Sequence, residues 1–131
     1  MRFLLDVNSL IALGVKHHEF NPRVSAWVRS QHDLTLLTCS ITELGFVRVI
    51  ARAEVYGFNV PQAKELLIEL KKSSECHFQF VSDRNDISSL PPWVNTPKQT
   101  TDGHLLELAK AHDAAFATLD LRIPGAHVIP A

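Results

Sequence analysis

Residues 2–10 read RFLLDVNSL: an apolar run, Phe3-Leu4-Leu5, that ends on the carboxylate of Asp6 and gives way to Val7-Asn8-Ser9. A short run without polar alternation is the pattern of a strand buried on both faces. Residues 2–6 therefore predict a core strand, and an acid at its end needs a reason.

Outward from this stretch the chain alternates strands with helices. Asn8 or Ser9 is placed to cap a short helix carrying Leu10, Ile11 and Leu13, weakened at Gly14. Pro22 suits the first turn of a second helix that runs to about Ser30, with Val24, Trp27 and Val28 on one face. Leu34 to Thr38 predicts a second buried strand, and Ser40-Ile41-Thr42-Glu43 opens a third helix that fades before Tyr56-Gly57. Pro61 opens a fourth, with Leu66, Leu67 and Leu70 inward, and His77 to Val81 predicts a strand. Residues 82–100 form a long loop. Thr101 is expected to cap a fifth helix from Asp102 to about His112, Ala114 to Leu119 to form a strand, and His127 to Ile129 a last one. Alternation of this kind means right-handed crossovers and a mostly parallel sheet, an α/β fold.

At 131 residues the expectation is one domain, residues 1–131. A net charge of −1 announces neither nucleic acid nor membrane for the chain as a whole. Arg2 is followed by three apolar residues before Asp6, short of the ~7–15 of a secretory h-region. No run approaches the ~18 apolar residues of a membrane span. The two cysteines, Cys39 and Cys76, lie far apart, which indicates neither a zinc site nor a disulfide framework. The chain reads as cytoplasmic, with reduced thiols and no membrane partner.

Most of the 14 acidic residues read as solvated surface. Four do not. Asp6 and Asp120 end strands, where parallel sheets place their ligand crevice. Glu43 and Asp102 fall in the first turns of helices that open on the same edge. Each has an ordinary structural account: Ser40-x-x-Glu43 is a capping box, Asp102 complements a helix dipole, Asp120 makes a turn, and Asp6 caps the following helix. Helical spacing argues for more. Glu43 heads a stripe of Phe46, Val47 and Ile50, and Asp102 one of Leu105, Leu106 and Ala109, so both carboxylates lie along buried faces. Burying carboxylates together is unfavourable unless something compensates, and a divalent cation with hard oxygen ligands does so. Such an ion also orients a water and neutralises a phosphodiester.

Four segments in order, Asp6-Val7-Asn8-Ser9-Leu10-Ile11-Ala12-Leu13, Ile41-Thr42-Glu43-Leu44-Gly45-Phe46-Val47-Arg48-Val49, Thr101-Asp102-x-x-Leu105-x-x-Leu108-Ala109 and Ala117-Thr118-Leu119-Asp120, resemble the motifs of PIN-domain nucleases. VapC-type toxins of bacterial toxin–antitoxin pairs are the subgroup they are most similar to. The resemblance implies a three-layer α/β/α sandwich and a Mg²⁺- or Mn²⁺-dependent endoribonuclease. Asp6, Glu43, Asp102 and Asp120 would be its acidic quartet: Asp6, Asp102 and Asp120 on the metal, Glu43 directly or through water. Asn8 matches a polar position beside the first acid, and Thr118 one that positions the last acid by hydrogen bonding. The resemblance further implies structured RNA (transfer or ribosomal) as substrate, a homodimer, and a cognate antitoxin whose C-terminal segment reaches the site. Two departures stand out. Asp113 occupies a position where many relatives carry Gly, and Leu121-Arg122-Ile123 supplies no further acid, leaving one-metal and two-metal chemistry both open.

Arg48 and Arg52 share a face of the third helix and, with Lys98 and Arg122, are candidates to grip RNA phosphates or to form solvated ion pairs. Trp93 either stacks on a base or packs its loop down. The competing readings are a catalytically inactive PIN-like module that binds RNA or protein, and a phosphotransfer domain, which would want a second Asp where Asn8 stands.

Overall fold

A computed structural model describes residues 1–73 and 75–131. Five parallel strands lie in the order β3-β2-β1-β4-β5: β1 Arg2–Leu5, β2 Thr35–Thr38, β3 His77–Phe80, β4 Ala115–Thr118 and β5 His127–Val128. The central strand pairs on both sides, Leu4 with Leu37 of β2 and with Phe116 of β4. That is why its apolar run is unbroken. Phe3 and Leu5 face one core while Leu4, between them, faces the other.

Helices α1 (Val7–Gly14), α2 (Asn21–Ser30), α3 (Ser40–Arg52) and α4 (Val60–Lys71) cover the first face, with Leu10, Ile11, Trp27, Phe46, Ile50 and Leu67 buried. Helix α5 (Thr100–Ala111) covers the second, burying Leu105, Leu106, Leu108 and Ala109. Three layers result, as the resemblance implies. Trp27 packs edge-on to Phe3 at 4.9 Å between ring centroids, and Trp93 packs its loop against the α5 core.

Helix starts differ from the sequence expectations by one to three residues. Of the caps the sequence offers for α1, Asp6 rather than Asn8 or Ser9 takes the role, accepting the Ser9 amide at 2.8 Å. The Ser40–Glu43 capping box does not form. Cys39 stands at the N-cap of α3 and its amide donates to the Thr42 hydroxyl at 3.0 Å, which leaves the Glu43 carboxylate for other partners. Thr101 is not a cap either: α5 begins at Thr100, continuing from a 3₁₀ turn at Pro97–Gln99. Asp113, with φ of 55°, takes the left-handed conformation in which Asp can replace Gly.

The chain leaves β1 for β2 and β3 on one side, then returns to the other side for β4 and β5. The direction of winding thus reverses between β1 and β4, and the crevice at their carboxyl ends is the ligand position of such sheets. Close packing of α3 on α1 completes that edge. A Cβ at Gly45 would stand 2.6 Å from Val7 Cγ2, so only glycine lets the second turn of α3 lie against the start of α1. Gly45→Ala should therefore destabilise the fold by about 1–2 kcal/mol, overpacking outweighing the gain in helix propensity. Urea denaturation measures this directly, and an unchanged midpoint would mean the two helices can part freely.

Candidate active site

Two strand ends and two helix starts deliver the acids. Asp6, one residue past β1, is buried at 7% exposure. Its amide is tied to the Ala117 carbonyl of β4 at 3.1 Å, its Oδ1 accepts the Ser9 amide at 2.8 Å, and its Oδ2 accepts the Thr118 hydroxyl at 2.6 Å. These bonds hold a buried carboxylate without a counter-charge. Thr118 serves both acids, because its Oγ1 also accepts the Asp120 amide at 3.0 Å. It thus positions the backbone of the last acid, while its own proton goes to the first.

Asp120 turns onto Arg122. Its Oδ1 accepts the Arg122 amide at 2.9 Å and Nε at 3.0 Å, and its Oδ2 accepts Nη2 at 3.1 Å. These bonds hold the Asp120 carboxyl below the usual range and raise the Arg122 guanidinium in turn. Asp102, in the first turn of α5, behaves oppositely. Burial, then the charges of Asp6 and Asp120, push its pKa up to about 6, with Arg122 opposing. Three carboxylates from β1, β4 and α5 thus share one electrostatic environment at the switch point.

Glu43 stands to one side, toward α4. Its Oε2 accepts the Thr38 hydroxyl at 2.6 Å and the Lys71 ammonium at 2.5 Å, with both charged side chains about a quarter exposed, 25% and 28%. Thr38 closes β2 as Thr118 closes β4, so each of these strands ends in a hydroxyl that orients an acid. Sequence reasoning missed Thr38 and Lys71. The likeness of Leu37-Thr38-Cys39 to Ala117-Thr118-Leu119 was a readable signal for the first, whereas the second emerges only from the packing of α3 on α4.

The other candidates are dispersed. Asn8 is exposed in the first turn of α1. Arg48 and Arg52 are exposed along α3, and Lys98 lies in the 3₁₀ turn before α5; among the described residues none of the three forms an ion pair. Among the described residues, Arg122 is the one of the four candidate cations that stands at the acids. His104, two residues beyond Asp102 on α5, bonds to Asp83.

A parallel α/β/α sandwich with acids gathered at its switch point defines a PIN-type nuclease domain. No protein-family model matches the chain. It is similar to ribonuclease VapC44 of Mycobacterium tuberculosis, 37% identical over 94% of this chain and 89% of the relative. VapBC2 of Rickettsia felis, solved bound to a DNA fragment from its promoter, aligns with a TM-score of 0.61 at 14% identity, covering 98% of this chain and 97% of that one. VapC20 of M. tuberculosis, a toxin that cleaves the sarcin–ricin loop, aligns with a TM-score of 0.61 at 9% identity over 91% and 88%. The chain belongs to the VapC ribonuclease family.

Proposed function

We propose that this chain is the endoribonuclease toxin of a type II toxin–antitoxin pair, cutting structured transfer or ribosomal RNA at the Asp6–Asp102–Asp120 cluster with the help of Mg²⁺ or Mn²⁺. The observation that carries the reading is the half-buried Asp102 at the switch point, whose pKa burial first, and the charges of Asp6 and Asp120 next, raise to about 6.

The donor set fits a hard cation. All three groups offer carboxylate oxygens, and their mutual repulsion is what a dication relieves. Among the described residues no three His, Cys, Asp or Glu side chains are drawn into a metal-holding cluster. Asp120 lies on Arg122 and Glu43 on Lys71, so two of the acids are engaged by side-chain cations in the metal-free chain. Asp6, Asp102 and Asp120 would hold the ion, with Glu43 reaching it directly or through water. When bound, a cation of this kind neutralises charge on the scissile phosphate and makes water more acidic.

The chain's own groups supply the rest. Thr118 fixes the Asp6 carboxylate, so its orientation does not depend on substrate. Glu43 is oriented by bonds to Oε2 alone, which leaves Oε1 open to accept a proton from an attacking water. Arg122, exposed at the rim, can exchange Asp120 for a phosphate oxygen. Arg48, Arg52 and Lys98 would bind flanking phosphates as charges on the surface.

The family reading also supplies a protein partner, because the R. felis neighbour is a VapBC complex. An apolar groove of about 610 Å³ between α3 and α4, lined by Leu44, Val47, Val60, Leu67 and Phe80, leads to Glu43 and fits a segment of the antitoxin. Lys64 and Lys71 on its rim favour acidic residues in that segment. We take the toxin to act as a homodimer in the cytoplasm. Among the described residues no helix is long and apolar enough to cross a membrane.

The test is the chemistry of the cut ends. The purified chain, incubated with 5′-labelled transfer and ribosomal RNA in Mg²⁺, should give discrete fragments carrying 5′-phosphate and 3′-hydroxyl ends, as water attack at phosphorus with loss of the 3′-oxygen requires. RNA retained but uncut would favour the inactive binding module. Cyclic-phosphate ends would mean that the ribose 2′-hydroxyl, not water, is the nucleophile.

A further inference from the structure

The flanks of the acidic cluster are already occupied by side-chain cations. Lys71 reaches Glu43 from the last turn of α4, at 2.5 Å from Oε2, and its ammonium stands 5.7 Å from the Phe80 ring centroid. With 28% of its side chain exposed, it is a fixed, packed charge rather than a passing surface contact. On the other flank Arg122 grips Asp120 through both carboxylate oxygens. Arg122 stands in the segment following Asp120, which brings no further acid.

Charge balance follows from this arrangement. Asp6, Asp102 and Asp120 face one side-chain cation, Arg122, which leaves two unit charges uncompensated, the charge of a single divalent ion, while Glu43 to one side is balanced by Lys71. A second dication would have to displace a cation from Glu43 or Asp120, or leave the cluster with excess positive charge. We propose that the site holds one divalent cation, and that Lys71 and Arg122 are built-in counter-ions taking the place of a second. Lys71 is then a positioning residue. By claiming Glu43 Oε2 it selects the water-mediated of the two routes from Glu43 to the ion and leaves that acid to handle the proton of the attacking water. The inference rests on the cation-dependent reading above and deepens it.

The test counts ions rather than cleavage. Mn²⁺ is titrated into the metal-free chain at neutral pH, and the unbound ion is measured by its electron paramagnetic resonance signal, with circular dichroism to verify folding. Wild type should bind one Mn²⁺. The Lys71→Met, Arg122→Met double variant should bind two, and Lys71→Arg should still bind one. Arg122→Met alone, changed at an exposed side chain, should bind its first Mn²⁺ roughly fivefold more tightly, in line with an exposed charge pair. Two ions on wild type would overturn the inference while leaving the nuclease reading intact. One ion on a folded double variant would remove the counter-ion role. If wild type binds none, the cation-dependent reading falls, and this inference with it. Wild type, Lys71→Arg and Arg122→Met keep the test decisive should the double variant fail to fold.

Discussion

Asp102→Asn should lose at least about 10³-fold in RNA cleavage while making the metal-free protein more stable above pH 6. The two effects have one cause. Asp102 is half-buried beside Asp6 and Asp120, and its pKa is raised from 3.8 to about 6. A carboxyl whose folded pKa lies above its unfolded one contributes most to stability when protonated. That contribution is present below about pH 4 and is lost as pH rises through about 6. A shift of this size corresponds to about 3 kcal/mol at 1.36 kcal/mol per unit, and solvent screening of a half-exposed group reduces it to about 1–2 kcal/mol. Asn keeps the shape and removes the charge, so the variant should gain that amount at pH 8 and nothing at pH 4. Cleavage should disappear because an amide replaces a carboxylate in the set that would hold the cation. Urea denaturation of the metal-free proteins at the two pH values reads the stability. A variant destabilised at pH 8 would show that Asp102 is structural.

Removing divalent ions should abolish cleavage, and restoring them should raise the midpoint of thermal unfolding. Three acids that repel one another in the metal-free chain become favourable once a dication lies between them, so binding to the folded state adds stability by mass action. At a Mn²⁺ concentration 100 times the dissociation constant the gain is about 2.7 kcal/mol. For a domain of this size that is a rise on the order of 10 °C. Asp6→Ala should lose most of this rise, because Asp6 lies deepest among the acids and is oriented by three hydrogen bonds. A midpoint insensitive to Mn²⁺ in wild type, with cleavage surviving EDTA, would assign the reaction to side chains alone.

Much of this was legible from residue order. The unbroken run at Phe3-Leu4-Leu5 identified a buried strand, because a strand covered on both faces lacks polar alternation. The stripes below Glu43 and Asp102 aligned those acids with buried faces, and both occupy first helical turns. The caps were less legible. A local pattern such as Ser40-x-x-Glu43 competes with Cys39–Thr42 one residue earlier, and tertiary packing decides between them. The order of strands does not follow from their sequence, because the inner strands β1, β2 and β4 are all short and largely apolar and carry no signal of which neighbour each takes. Lys71 was the least legible of all. It is 28 residues from Glu43, in a helix whose pattern reports only which side faces the core, and its role arises where α4 ends beside the start of α3.

The most direct measurement is cleavage of total bacterial RNA by the purified chain in Mg²⁺, in Mn²⁺ and in EDTA, beside Asp102→Asn. Discrete fragments that require the divalent ion and vanish in the variant are the predicted result. Equal cleavage by the folded variant, or cleavage that persists in EDTA, would contradict the assignment of catalysis to the acidic cluster at the end of β1.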